Sequence, residues 1–209
     1  MMRYRIKICG LTDPGQALAA TSAGADAIGL VFYARSRRVV SVEQGAAVAA
    51  VMPPFVATVG LFVDPDTVEV ERVLKVCRLD FLQFHGAESA AFCRGFGLPY
   101  LKAIAMGEGF DPRPEMDAHP EARGFLLDSH AGGMMGGSGQ AFDWRSIPDS
   151  LERPWLLAGG LNPDNVGQAL AQTCPYGVDV SSGVESAPGQ KDPRLVRDFV
   201  DAVRQVERG

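Results

Sequence analysis

The chain has little from which a disulfide framework, a metal cluster or a nucleic-acid footprint could be built. Its 209 residues include four cysteines, Cys9, Cys77, Cys93 and Cys174, with no C-x-x-C pair among them. Such spacing argues against a stapled secreted scaffold or a zinc ribbon, and free thiols suit a reducing cytosol. No His, Asp or Glu group has the spacing of metal ligands, so no metal site is expected. Basic charge is short: 20 Lys+Arg face 25 Asp+Glu, a formal net charge of −5. Nucleic-acid-binding domains gather Lys and Arg on one face, and the single cluster here, Arg35-Ser36-Arg37-Arg38, is too small for that. Arg3, Arg5 and Lys7 interrupt the N-terminal segment, leaving no apolar stretch of signal-peptide kind. One uncharged run, 45–63, is long enough to raise the question of a membrane span. Pro53-Pro54 divides it into an Ala/Val helix end and a Val/Phe strand, which reads as core. The expectation is a soluble cytoplasmic protein with no nucleic-acid or membrane partner.

What the chain does have is glycine and proline, 24 and 14 of them, above the usual combined share of about 12%. Hydrophobic residues are 46% and charged residues 22%, so the surplus marks tight turns and ligand loops rather than disorder or collagen. One phrase recurs along the chain: a short β-branched run, a loop, then a stretch of Ala, Val, Leu and charges. Strands are expected at 4–8, 27–32, 57–63, 81–85, 100–104, 125–128, 155–158 and 178–181. Helices are expected at 12–23, 41–52, 66–77, 88–96, 143–150, 163–173 and 192–206. Ser41-Val42-Glu43-Gln44 has capping-box spacing, and Pro14 suits a first helical turn. Eight such units imply a parallel sheet closed into a single (β/α)8 TIM barrel spanning 1–209. The fifth crossing, 107–123, carries three prolines and no apolar stripe, so its helix is expected to be irregular or missing. A doubly wound open sheet competes, but no G-x-G-x-x-G follows the first strand.

Within a barrel, alternate side chains face the interior and the helix layer. In Arg5-Ile6-Lys7-Ile8-Cys9 the isoleucines suit the helices, which turns Lys7 and Cys9 inward, with Cys9 at the strand's C-terminal end. An ammonium beside a thiol can lower its pKa and supply a base or nucleophile; a buried inert cysteine beside a structural lysine is the alternative. Asp128 ends the apolar sixth strand directly before the Gly-rich stretch 132–139, as a general acid or as a loop cap. Ala158-Gly159-Gly160-Leu161 and Val180-Ser181-Ser182-Gly183 end the last two strands, where barrels often bind phosphate through backbone N–H groups. Arg38, after the second strand, could fork onto a carboxylate, or stand solvated; His85, ending the fourth, could touch substrate or serve structure.

In order, these segments resemble the phosphoribosylanthranilate isomerase family of tryptophan biosynthesis. The resemblance rests on Lys7-Ile8-Cys9-Gly10-Leu11-Thr12, the stretch 29–41, Val59-Gly60-Leu61-Phe62-Val63, Leu82-Gln83-Phe84-His85-Gly86 and Leu127-Asp128. It continues through Gly136-Gly137-Ser138-Gly139 with Phe142-Asp143-Trp144, Ala158 to Pro163, Val178 to Glu185, Pro188-Gly189 and Lys191-Asp192. The resemblance implies an Amadori rearrangement of N-(5′-phosphoribosyl)anthranilate by general acid/base catalysis without cofactor. It puts the base at Cys9 and the acid at Asp128, and the phosphate at Gly159, Gly160, Ser182 and Gly183. Arg38 takes the position that meets the anthranilate carboxylate, and His85 and Asp179 join the substrate-binding set. Arg37 stands where a proline is frequent, which leaves Arg37 and Arg38 as rivals for the carboxylate; Gln140 and the Gly/Met-rich loop also depart from the pattern. The implied partner is the small phosphosugar–anthranilate, with the chain a monomer or homodimer. Two rivals remain: a metal-dependent phosphosugar epimerase, which needs His and Asp ligands, and a non-catalytic phosphometabolite-binding barrel.

Overall fold

A computed structural model describes residues 3–129 and 143–208. Eight strands run in chain order: β1 Arg5–Cys9, β2 Ala27–Val31, β3 Ala57–Phe62, β4 Phe81–Phe84, β5 Tyr100–Ala105, β6 Gly124–Asp128, β7 Trp155–Leu157 and β8 Gly177–Val180. Each pairs in parallel with the next, and β1 closes on β8 with Lys7 opposite Asp179, so the sheet is a closed barrel. The helices are α1 Pro14–Ala23, α2 Val42–Ala50, α3 Thr67–Val76, α4 Ala90–Cys93, α5 Arg113–Ala118, α6 Val166–Thr173 and α7 Pro193–Val206.

Local chemistry starts these helices where the chain needs them. Ser41 and Gln44 form the expected reciprocal cap of α2, and Asp66 and Glu69 do the same for α3. Asp192 accepts from the Arg194 N–H with Pro193 in the first turn of α7. That helix buries Val196, Phe199, Val200 and Val203, a stripe at helical spacing, each contributing about 1.5–3 kcal/mol by leaving water. Strand alternation divides the apolar residues into two sets. Ile6, Ile8, Ile28, Leu30, Leu82, Phe84, Phe125 and Leu127 pack outward among the helices, while Ala103, Leu126, Leu156 and Ala158 form a separate cluster.

Two segments differ from the sequence reading, and a third agrees with it. The crossing after β5 is irregular as expected, yet holds the six-residue α5, from which only Met116 is buried. At 143–150 the expected helix is a single 3-10 turn, Trp144–Ser146, and Pro148 lacks the N–H that a continuing helix would donate. A two-stranded antiparallel hairpin, β9 Glu185–Ala187 with β10 Gln190–Lys191, follows β8 and has no counterpart in that reading. Among the described residues no helix is long and apolar enough to cross a membrane.

Candidate active site

Because Ile6 and Ile8 take the helix side of β1, Lys7 and Cys9 turn into the barrel as expected, both buried. Register does the rest: Asp179 is the β8 partner of Lys7, and Lys7 Nζ lies 2.7 Å from Asp179 Oδ1. Gly29 on β2 leaves the space they occupy, since a Cβ there would stand 2.7 Å from Cys9 Sγ and 3.1 Å from Lys7 Nζ. The ammonium is held above its ordinary value: burial opposes its charge, but Asp179 and Cys9 outweigh burial. Burial pushes the Cys9 thiol up, against the pull of Lys7. Of the two readings the sequence left open for this thiol, burial opposes the lowered pKa that the neighbouring ammonium favours.

The loop after β2 brings Arg38 to the same mouth. Its stem crosses Gly10, whose φ of +76° and missing Cβ make room for the Arg38 side chain. Arg38 Nε and Nη2 donate to the two carboxylate oxygens of Glu185 at 2.7 and 2.8 Å, a bidentate fork from loop to hairpin. Lys191 on β10 donates to Glu185 Oε1 at 2.7 Å, and to Ser181 at its carbonyl (3.0 Å) and hydroxyl (3.3 Å). Ser181 Oγ in turn donates to the Cys9 carbonyl at 3.0 Å. Burial works to raise the Glu185 carboxyl, but Arg38 and Lys191 outweigh it and hold it below the usual range. Arg37, by contrast, is exposed.

Across the mouth, β4 and β6 end in His85 and Asp128. His85 Nε2 is 3.5 Å from Asp128 Oδ2, and its Nδ1 is 3.2 Å from the amide nitrogen of Gln83. Burial pushes the imidazole below its ordinary value, against the pull of Asp128 and Asp179. Gly159 and Gly160 follow β7 with φ of +83° and +66°, and a Cβ on Gly159 would collide with Ser129. Gly183, in the 3-10 turn Ser182–Val184, admits no Cβ because the Leu161 carbonyl lies against it, so the loops after β7 and β8 pack directly on each other. Cys9, Arg38, His85, Asp128, Gly159, Gly160, Asp179, Ser182 and Gly183 thus lie at or near the C-terminal ends of the strands. The Gly-rich stretch 132–139 and Gln140 lie outside the described residues. Among the described residues no three His, Cys, Asp or Glu gather as a metal site.

The family model for N-(5′-phosphoribosyl)anthranilate (PRA) isomerase matches residues 6–202. The chain belongs to that family. An N-(5′-phosphoribosyl)anthranilate isomerase of Pseudomonas fluorescens strain Pf-5 is 52% identical over 205 residues, covering 98% of each chain. The phosphoribosyl anthranilate isomerase of Thermus thermophilus superposes with a TM-score of 0.84 at 36% identity, covering 97% of this chain and 99% of that one. A family member in complex with reduced 1-(o-carboxyphenylamino)-1-deoxyribulose 5-phosphate gives 0.80 at 34% identity, over 97% and 99%.

Within this member of the isomerase family, sequence reasoning passed over Gln83, Glu185 and Lys191. Gln83 carried a readable signal, being two residues before His85 and so on the same inward face of β4. Glu185 and Lys191 carried a weaker one, since neither burial nor a pairing across 147 residues, as between Arg38 and Glu185, is written in local pattern.

Proposed function

We propose that the chain is a phosphoribosylanthranilate isomerase, converting N-(5′-phosphoribosyl)anthranilate to 1-(2-carboxyphenylamino)-1-deoxyribulose 5-phosphate in tryptophan biosynthesis. The observation that carries the reading is Cys9 and Asp128 at one barrel mouth, on β1 and β6, in a chain matched over nearly its whole length by the isomerase family. Asp128 protonates the furanose ring oxygen; the C1′–O bond breaks as the anilino nitrogen's lone pair forms the C1′=N bond of a Schiff base. Cys9, as thiolate, removes the C2′ proton, and the electron pair shifts through C1′ to neutralise the nitrogen, giving an enol amine. Proton transfer from the enol hydroxyl and protonation at C1′ then yield the aminoketose. A raised thiol pKa leaves less thiolate at neutral pH but makes each thiolate a stronger base toward carbon. Arg38, steadied by Glu185, receives the anthranilate carboxylate, while His85 and Asp179 line the sugar. Backbone N–H groups at Gly159, Gly160, Ser182 and Gly183 take the phosphate. Side chains perform both proton transfers, so the scheme calls for no metal or cofactor.

We take 1–209 as one isomerase domain, cytoplasmic in keeping with its four free cysteines, and working as a monomer or a homodimer, which sedimentation separates. The test is loss of phosphoribosylanthranilate fluorescence. Cys9→Ser and Asp128→Asn should each lower kcat by about 10²–10⁴-fold while a product analogue still binds with near-parent affinity. A Cys9→Ser variant that keeps most of its kcat would return Cys9 to the role of a packed thiol.

A further inference from the structure

Among the described residues two buried side-chain atoms have no hydrogen-bond partner, Gln83 Oε1 and Trp144 Nε1. Gln83 is wholly buried in the barrel, where an amide oxygen without a donor carries a desolvation cost that a leucine of similar size would avoid. Stability of the fold therefore gives no reason for glutamine at this position. What the amide does make is one contact, 3.2 Å from its nitrogen to His85 Nδ1. With the amide nitrogen turned to the ring, it donates to a bare Nδ1, which puts the ring proton on Nε2. Nε2 is the nitrogen that faces Asp128 Oδ2 at 3.5 Å.

We propose that Gln83 is a positioning residue for the isomerisation, acting through His85 by holding the imidazole in the Nε2–H tautomer and so aiming a donor at the Asp128 carboxyl. The proposal rests on the reading of Asp128 as the general acid. When Asp128 releases its proton to the ring oxygen, negative charge develops on its carboxylate, and a donor already oriented toward it lowers the barrier without reorganisation. His85 neither gains nor loses a proton, so the proton balance of the scheme is unchanged. The tautomer matters only while the ring is neutral. Asp128 on β6 and Asp179 on β8 favour the imidazolium, Lys102 on β5 and Lys7 on β1 disfavour it, and burial, the largest influence, pushes the ring toward its neutral form. The sequence Gln83-Phe84-His85 supplies the geometry, since residues two apart in a strand share a face.

Two substitutions and one spectrum test this. The ¹⁵N shifts of the His85 ring in the parent protein should report a bare Nδ1 and a protonated Nε2. Gln83→Leu should keep or raise the melting temperature, release the ring into a mixture of tautomers, and lower kcat about tenfold with KM within about twofold, the loss expected of one hydrogen bond. Gln83→Glu should invert the preference, because the introduced carboxylate accepts from Nδ1–H; the ring then titrates at higher pH and the pH profile of kcat moves with it. A Gln83→Leu variant with parental kcat, or a loss of activity that only follows the folded fraction, would overturn the proposal. So would a parent that turns over substrate with its His85 proton on Nδ1, an outcome that leaves the isomerase reading intact. A parent that binds and turns over no phosphoribosylanthranilate would remove that reading and the proposal together.

Discussion

The two ends of the barrel use the same kind of ion pairing for different ends. At the N-terminal end Asp26, just before β2, gathers Arg3, Arg5 and Arg204 at 2.7, 3.1 and 3.3 Å. Two of those arginines are open to solvent, with side chains 57% and 44% exposed, so water and salt screen most of their attraction. At the C-terminal mouth the pairs Lys7–Asp179 and Lys191–Glu185 are shut away, with lysine side chains 2% exposed in both. There the cost of stripping water from each charge is large, and the pairs hold only because each partner is met. The lesson is that exposed pairs can be lost singly, whereas the buried ones stand or fall together beside the chemistry. Barrels commonly keep stability at one face and reaction at the other, and here solvent access to the charges draws that division.

Substitutions can break or sharpen this contrast, beginning with the largest effect. Lys7→Met should cost about 3–5 kcal/mol in denaturant unfolding, because Asp179 is left buried without its cation, and should depress turnover as well. Arg38→Ala should raise KM roughly ten- to a hundredfold, charge-assisted hydrogen bonds contributing about 1.5–3 kcal/mol, and should also lower the melting temperature, because buried Glu185 loses its bidentate partner. If Arg37→Ala gives that loss and Arg38→Ala does not, the carboxylate belongs to Arg37. The Cys9 thiol is pushed up by burial, so thiolate absorbance, taken as the difference from Cys9→Ser, should appear with a midpoint above the ordinary value of about 8.5. A midpoint below that value would mean that Lys7 prevails over desolvation. Arg3→Ala should cost under about 1 kcal/mol, shrink further with added salt, and leave kcat unchanged.

The strands were legible because β-branched runs end at glycines and polar residues, and their inward faces followed from alternation. Cys9, Asp128 and the two glycine loops were legible for the same reason, each ending a strand that the pattern defines. The helix expected at 143–150 failed because Pro148 stops it after a single 3-10 turn, Trp144–Ser146. The hairpin 185–191 was missed because three residues and two are too few to show a period. The direction of the Cys9 pKa was left open for a deeper reason. Adjacency to Lys7 is visible two residues away, but the degree of burial is set by all eight strands at once.

The closing of β1 on β8 also puts the site in order of time. Lys7 is translated 172 residues before the Asp179 that will neutralise it, and Arg38 precedes Glu185 by 147. Burying either cation before its carboxylate is made would leave a charge in the barrel unmet, so β8 and β9 must be synthesised before both pairs can close. The first strand therefore waits for the eighth. A chain stalled short of β8 would carry Lys7 without Asp179 and Arg38 without Glu185.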